Sequence, residues 1–404
     1  MPHRSAALLV AFMWVAYFLN YCDRQAVFAM FPSLKADLKM TDGQLGYVGA
    51  VFLWVYAFGC PISGYLGDRF SKRLLVVLSL VVWSIVTIGT GLVASGSMLL
   101  AMRGAMGISE SLYMSSAVAL TASAYPAARR SRAVSMLMTG QIAGTVVGSW
   151  FGGWMADRGQ WRAAFFVLGA VGVLYALPYF AFLRKVGEPA PEPSAGLSFS
   201  SLGRSRTFVL LCLVFPVFVF GLWLLYGWLP VFLHDKFALN QADAAFNATV
   251  FLQTATLIGI LIGGMTADVL HQRVKAARFW LIVAGLALSA PCIHLLGNSD
   301  TLFVTRLAAI GFGLFSGLFI ANIFPAAFDV VSSDARATAV GMLNFCGAIM
   351  SGFATLFGGM WKQSLGIDRL LSFTALGYLV AGAAVIIGIR CLFPRDHHIQ
   401  NPTP

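Results

Sequence analysis

About twelve apolar runs of roughly 20 residues or more follow one another along the chain, each long enough to cross a hydrocarbon core as a helix. They occupy 6–31, 45–67, 74–95, 98–124, 133–156, 163–183, 207–233, 246–269, 278–297, 301–330, 337–361 and 370–393. Charged positions do not alternate with apolar ones inside them, so the polar face of a soluble amphipathic helix is missing. Strands of a transmembrane barrel need only roughly 10 residues, which makes the runs too long for that architecture.

The polar breaks repeat. Gly64-Tyr65-Leu66-Gly67-Asp68-Arg69-Phe70-Ser71-Lys72-Arg73 closes the second run and opens the third. A looser copy, Gly264-Met265-Thr266-Ala267-Asp268-Val269-Leu270-His271-Gln272-Arg273, joins the eighth to the ninth. Asp68 and Asp268 lie 268 − 68 = 200 positions apart in a chain of 404 residues. A carboxylate and a basic cluster at the same junction of both halves mark an internal repeat. In a membrane protein, parallel repeats imply two bundles that rock about a site between them. Gly187-Glu188-Pro189-Ala190-Pro191-Glu192-Pro193-Ser194 is Pro-rich and polar, and reads as a semi-extended connector. The expected fold is all-α, with twelve transmembrane helices in two pseudo-symmetric six-helix bundles. The bundles cover 1–185 and 207–404, with a cytoplasmic linker over 186–206. Other connections are short and leave no room for a soluble catalytic domain.

Composition supports the membrane reading: residues are 59% hydrophobic and 11% charged, with a mean hydropathy of +0.80. A net charge of +11 would suggest nucleic acid as the partner of a soluble protein. Its distribution gives another cause. With the N-terminus inside, the inner loops and tails take roughly 17 of the 27 Lys and Arg, and the outer loops roughly 7. Both termini are then cytoplasmic, the bilayer is the partner, and no nucleic acid is needed. The first run continues through Asn20 and Asp23 with no small-residue cleavage pattern, so it reads as a first helix, not a signal peptide. All six cysteines fall in or beside the runs and none forms a CxxC pair, which predicts free thiols and no metal. Gly140, Gly144, Gly148 and Gly152 form a stripe in the fifth run, and Gly259 and Gly263 repeat the idea in the eighth. Small residues at this spacing let another backbone approach. Tight packing is the ordinary reading, and sliding surfaces for the rocking motion are a compatible second one.

Asp23, Arg24, Arg103, Glu110 and Arg306 are ionisable residues well inside the runs. Each costs roughly 2.5–3.5 kcal/mol at the bilayer centre by insertion scales unless it faces a partner or a cavity. At 1.5 Å per residue, Asp23 and Arg24 lie roughly 10–12 Å below the outer surface, Arg103 about 8 Å and Glu110 about 18 Å. Arg103, Gly107, Glu110 and Met114 share a helix face, so two carboxylates and two guanidiniums are expected to meet in one cluster. A guanidinium is a permanent planar fork for carboxylates. A carboxylate in a low-dielectric cavity gains or loses proton affinity with burial and with a nearby arginine. Arginine for an anion and Asp/Glu for a proton make a minimal kit for proton-coupled anion transport. Static salt bridges between helices are the structural alternative.

The Gly64–Arg73 stretch resembles the loop-2/3 signature of the major facilitator superfamily, and the twelve runs, linker and second-half copy extend that likeness over essentially the whole chain. The resemblance implies that Asp68, with Arg69 and Arg73, latches the cytoplasmic side by facing the start of the eleventh span near Arg336. Asp268 would address the start of the fifth near Arg132. Asn20-Tyr21-Cys22-Asp23-Arg24 and Arg103-Gly104-Ala105-Met106-Gly107-Ile108-Ser109-Glu110-Ser111 are similar to signatures of the anion:cation symporter family. That family includes bacterial sugar-acid carriers, sialin and the vesicular glutamate transporters. The likeness implies Arg24 for the substrate carboxylate, Asp23 and Glu110 for protons, and Arg103 to tune Glu110. Tyr21, Tyr56 and Gln141 would bind substrate hydroxyls, and Trp223, Tyr226 and Asn344 the facing wall. Spinster-like lysolipid transporters share the Asp-Arg and the wording Gly-Tyr-Leu-Gly-Asp-Arg, and stay open as an alternative. A drug exporter is less well matched, since Val146-Val147-Gly148-Ser149-Trp150-Phe151-Gly152-Gly153 lacks the proline of its usual fifth-span element.

The expected protein is a monomeric secondary transporter of a bacterial inner membrane, not an enzyme, with no cofactor and no metal, moving a small organic anion with protons. With no mid-span histidine, an intramembrane nucleophile and base are lacking. Arg306 is read as an outer-side gate or a snorkelling residue. Its offset from Arg103 is 306 − 103 = 203, which places Gly313 opposite Glu110. Asp329 is read as a partner of Arg336, His294 as interfacial, and His397-His398 as part of a mobile tail.

Overall fold

The computed structural model describes residues 3–125, 127–186, 202–332 and 335–400, and among them there is helix and no strand. The first-half helices are α1 His3–Ala29, α2 Phe31–Asp37, α3 Asp42–Arg69, α4 Lys72–Gly91, α5 Gly96–Ser123, α6 Ala127–Asp157 and α7 Trp161–Leu183. Those of the second half are α8 Arg206–Phe237, α9 Gln241–His271, α10 Ala277–Asn298, α11 Leu302–Phe328, α12 Arg336–Trp361, α13 Ile367–Cys391 and α14 Phe393–Gln400. All but α2 and α14 are long, which gives the twelve membrane-length helices of the expected fold. By length and composition, ten of the described helices can cross a membrane. The other two long ones, α5 and α6, run to 28 and 31 residues; α5 carries Arg103 and Glu110, and α6 opens on a basic run.

Several helices begin where a polar cap stops the chain. Thr41 accepts the Gln44 N–H while the Gln44 side chain accepts the Thr41 N–H, a reciprocal capping box. Ser71, Ser95 and Thr301 cap α4, α5 and α11 in the simpler way. Two short helices were not expected. Pro32 sits in the first turn of α2, where its missing N–H costs nothing, and Phe31 and Leu34 bury its inner side. The tail read as mobile folds into α14 instead. Buried Asp396 accepts the Thr207 N–H at 2.7 Å and the Ser205 hydroxyl at 3.3 Å, and Phe393 stacks on His397 and meets the Phe279 ring at a tilt.

Packing repeats between the halves. In the first, α4 packs on α5 and α7; in the second, α10 packs on α11 and α13. The α3–α5 contact has Gly107 against the Phe52 carbonyl, and the α9–α11 contact has Gly313 against the Leu252 carbonyl. Phe52 and Leu252 keep the 252 − 52 = 200 offset, but the glycines are 313 − 107 = 206 apart. Ser316, not Gly313, is therefore the repeat counterpart of Glu110, and Ala309, not Arg306, that of Arg103. This corrects the register read from sequence. Arg306 instead places its guanidinium 5.5 Å from the Phe251 ring centroid.

The four glycines of the stripe in α6, Gly140, Gly144, Gly148 and Gly152, face α1. A Cβ on Gly140, Gly148 or Gly152 would lie 2.9, 2.6 and 2.6 Å from the carbonyl oxygens of Trp14, Cys22 and Ala26. The stripe is thus a close-packed seam between two helices of one unit. Two compact units form: Met1–Ser194 with Tyr226–Thr249, and Ala195–Leu225 with Val250–Pro404. The hairpin joining α8 to α9 belongs to the first unit, so the compact units do not follow the linker. Most of that linker, 187–201, lies outside the described residues.

Candidate functional site

Within the first unit, α1 and α5 bring the intramembrane charges together. Asn20, Asp23, Arg24, Arg103 and Glu110 are each at most 4% exposed. Arg24 donates to Glu110 Oε2 from Nη2 at 2.7 Å and from Nε at 3.2 Å. Both bonds fall on one oxygen, and Oε1 of Glu110 accepts no hydrogen bond of good geometry among the described residues. Two of the three remaining donors of Arg24 reach Tyr21 Oη at 3.3 Å and Asn20 Oδ1 at 3.4 Å. The rings of Tyr21, Phe52 and Tyr56 surround the guanidinium, with centroids 4.5, 4.8 and 4.9 Å from Cζ. Such cation–π contacts strengthen when desolvated.

Arg103 is placed differently from expectation. It makes no salt bridge among the described residues. Its Nη1 points at Met106 Sδ, 3.1 Å away, and its Nε at the Val48 carbonyl, 3.5 Å away. Nη2 is buried without a hydrogen-bond partner among the described residues, and Cζ lies 4.5 Å from the centroid of the same Phe52 ring that contacts Arg24. The carboxylate expected beside Arg103 is bonded to Arg24 instead. Asp23 is not hydrogen-bonded to this pair among the described residues, and accepts from Thr87 Oγ1 at 3.2 Å. That hydroxyl also lies 2.9 Å from the Trp83 carbonyl, and its single proton serves one acceptor at a time.

Tyr21 and Tyr56 stand at the cage, while Gln141 is one step removed. Its Oε1 accepts from Tyr17, whose ring meets Tyr21 edge-on at 5.1 Å. Tyr226 is buried on the part of α8 that belongs to the first unit. In the second unit, Trp223 is half-buried and Asn344 exposed. Sequence reasoning missed Phe52, Thr87 and Tyr17. Nothing distinguishes an aromatic or a threonine in an apolar run until a charge is found against it.

The basic clusters divide. Arg73 donates to the Leu183 carbonyl at 3.4 Å and to that of Val186, where the C-terminal end of α7 favours a cation. Arg69 lies over the Tyr65 ring at 4.2 Å, Arg336 over Phe328 at 5.5 Å, and Asp268 is exposed. The side chains of Asp68 and Arg132 lie outside the described residues. Asp329 pairs with Arg278, not with Arg336 as expected, because the end of α11 meets the start of α10. His294 is exposed and hydrogen-bonds Ser372 at 3.0 Å.

Comparison with known proteins follows the same lines. The Major Facilitator Superfamily family model matches residues 13–355. Human spinster homolog 1 is 31% identical over 319 residues, 73% of this chain and 60% of its own length. The chain thus spans about 60% of the spinster relatives it matches. The D-galactonate transporter of Escherichia coli O6:H1 is 24% identical over 96% of each chain. A crystal structure of a bacterial homolog of the human lysosomal transporter spinster, inward-facing and unoccupied, superposes on the fold with a TM-score of 0.82, at 20% identity and over all of both chains. With a family model covering most of its length and this helical architecture, the chain belongs to the major facilitator superfamily of transporters.

Proposed function

We propose that this chain carries a small organic anion, a sugar acid or related carboxylate, together with protons by alternating access. The observation behind the reading is the Arg24–Glu110 pair inside its aromatic cage. An ionised Glu110 occupies the fork that a substrate carboxylate needs. A proton on Glu110 removes that competitor, and the arriving carboxylate forms the same charge-assisted pair with Arg24. The net charge of the site is unchanged, since one carboxylate is neutralised as another arrives. A buried guanidinium without an anion, or one facing two, is costly in a closed low-dielectric cavity. The empty ionised form and the loaded protonated form are therefore the two that close, and anion and proton move in the same direction.

In this scheme Asp23 is a second proton site held by Thr87, and Arg103 tunes the charge that Glu110 meets. Tyr21, Tyr56 and Gln141 meet substrate hydroxyls, with Trp223, Tyr226 and Asn344 on the facing wall. Asp68, Arg69, Arg73, Arg132, Asp268 and Arg336 serve the gates. The protein works as a monomer in a bacterial inner membrane with both termini cytoplasmic, and catalyses no covalent chemistry. Likeness to human spinster homolog 1 favours a second reading, a proton-linked lysolipid transporter.

Thermal stabilisation of the detergent-purified protein separates the two, because a ligand that binds only the folded state raises its stability by mass action. D-galactonate, other hydroxy acids and a lysophospholipid are the probes. Sugar acids are expected to stabilise wild type, more at mildly acidic than at mildly alkaline pH, and to stabilise Arg24→Lys at least about tenfold more weakly in Kd, about 1.4 kcal/mol. Stabilisation by the lysophospholipid alone replaces the first reading with the second.

A further inference from the structure

The face opposite the Leu183 end of α7, here the far face, carries a carboxylate that neither the site nor the linker-face motif uses. Asp157 is the last residue of α6. Its Oδ1 accepts the backbone N–H of Gln241 at 2.8 Å, and its Oδ2 that of Ala242 at 2.9 Å. These are the first two residues of α9, a helix of 31 residues. Asn240 accepts the Asp243 N–H at 2.7 Å, and the Ala244 N–H reaches the Asn240 carbonyl at 3.0 Å. The helix-start donors are thus fully accounted for, and two of them depend on a residue 84 and 85 positions away in sequence.

Three further contacts converge on the same hairpin. A Cβ on Gly153 would lie 2.5 Å from the Gln241 carbonyl and 2.8 Å from Ala242 Cα, so the backbones of α6 and α9 touch there. The Gln241 side chain exchanges hydrogen bonds with Ser33 of α2 at 2.9 and 3.2 Å. Trp228, fully buried, packs on Phe31 with ring centroids 5.2 Å apart. The hairpin 226–249 is therefore fastened to the first unit by α2 and α6, although α8 and α9 both continue into the second.

We infer that Asp157 is a far-face latch: it holds the start of α9 against the first unit, and access from that face requires the two N–H bonds to break. The inference rests on the transporter reading but not on any one substrate or coupling ion. A carboxylate at a helix N-terminus suits the task, since charge and dipole favour the bond while water can replace it at modest cost. The glycine lets the two backbones come close enough for so short a side chain to reach.

Cysteine accessibility tests this without a substrate. Ala245, fully buried one turn into α9, becomes Ala245→Cys as reporter. Cys22, buried where α1 meets Gly148, serves as an internal control for the α1–α6 seam. Protein in nanodiscs is labelled with a charged maleimide and read by peptide mass spectrometry. With Asp157→Asn or Asp157→Ala, the reporter should react about fivefold faster or more, the scale of losing a helix cap. Cys22 should stay unreactive, and Asp157→Glu should restore most of the protection. Reporter rates within twofold of wild type in both variants overturn the latch. Faster labelling of Cys22 and the reporter together also overturns it, since Asp157 would then hold the whole bundle, not the hairpin.

Discussion

Five charged side chains in apolar runs could be read from sequence because burying an ion is costly and seldom accidental. Their pairing could not. Helical rise gives depth along a helix axis, but not which neighbour a long arginine turns toward. Arg24 and Arg103 were both within reach of Glu110, and the choice fell to the aromatic rings: Tyr21, Phe52 and Tyr56 hold the Arg24 guanidinium where Glu110 Oε2 meets it, while Arg103 lies against Phe52 alone. The resulting bond makes Glu110→Gln the most informative substitution. Glutamine keeps the shape and an acceptor for Arg24 but neither titrates nor competes with an anion as a charge. Counterflow of labelled D-galactonate across a vesicle membrane should persist, while accumulation driven by an imposed pH difference should fall to the level of empty vesicles. Accumulation equal to wild type would mean that Glu110 carries no essential proton, and a structural salt bridge with Arg24 would be the better account.

Helices were the most legible level, because a run of about 20 apolar residues has few other uses. What the runs hid were the short amphipathic pieces. α2 buries only Phe31 and Leu34, and α14 carries Arg395, Asp396, His397 and His398 among its eight residues, so neither stands out beside the spans. The glycine stripe was legible as a close contact, yet its partner was not, since spacing says how near a backbone may come and not whose. That partner is α1, at the residues preceding and following the charged site. Gly148→Ala would drive a methyl group into the Cys22 backbone. Overpacking of this kind costs about 1–3 kcal/mol, against about 1 kcal/mol that alanine gains over glycine inside a helix. Gly341→Ala meets nothing within 4 Å among the described residues and keeps only the gain. Thermal unfolding in detergent should place Gly148→Ala below wild type and Gly341→Ala level with it or above. Equal midpoints for the two variants would show that the seam can open by a few tenths of an ångström without loss.

At the scale of the molecule, the repeat was visible in Asp68 and Asp268, and the packing carries it further, through Gly107 and Gly313, with the register shifted by six residues between the two contacts. The division into units was less legible, because composition marks a Pro-rich linker but not a hairpin that packs with the other half. That hairpin suggests how the two faces balance. If the motif carboxylate Asp68 favours closure at the linker face and Asp157 favours closure at the far face, each acts on the same two-state equilibrium with opposite sign. A contact present in one state only shifts the populations by its own free energy. Losses at well-separated sites add to within about 0.3–0.5 kcal/mol. Asp157→Asn should therefore raise far-face labelling of Ala245→Cys, Asp68→Asn should lower it, and the double variant should return it to near the wild-type rate. The last comparison is the decisive one. Local loosening around Asp157 would leave the double variant as reactive as Asp157→Asn alone, because nothing at the linker face could protect a frayed hairpin. Only a shared equilibrium lets a substitution at one face cancel one at the other.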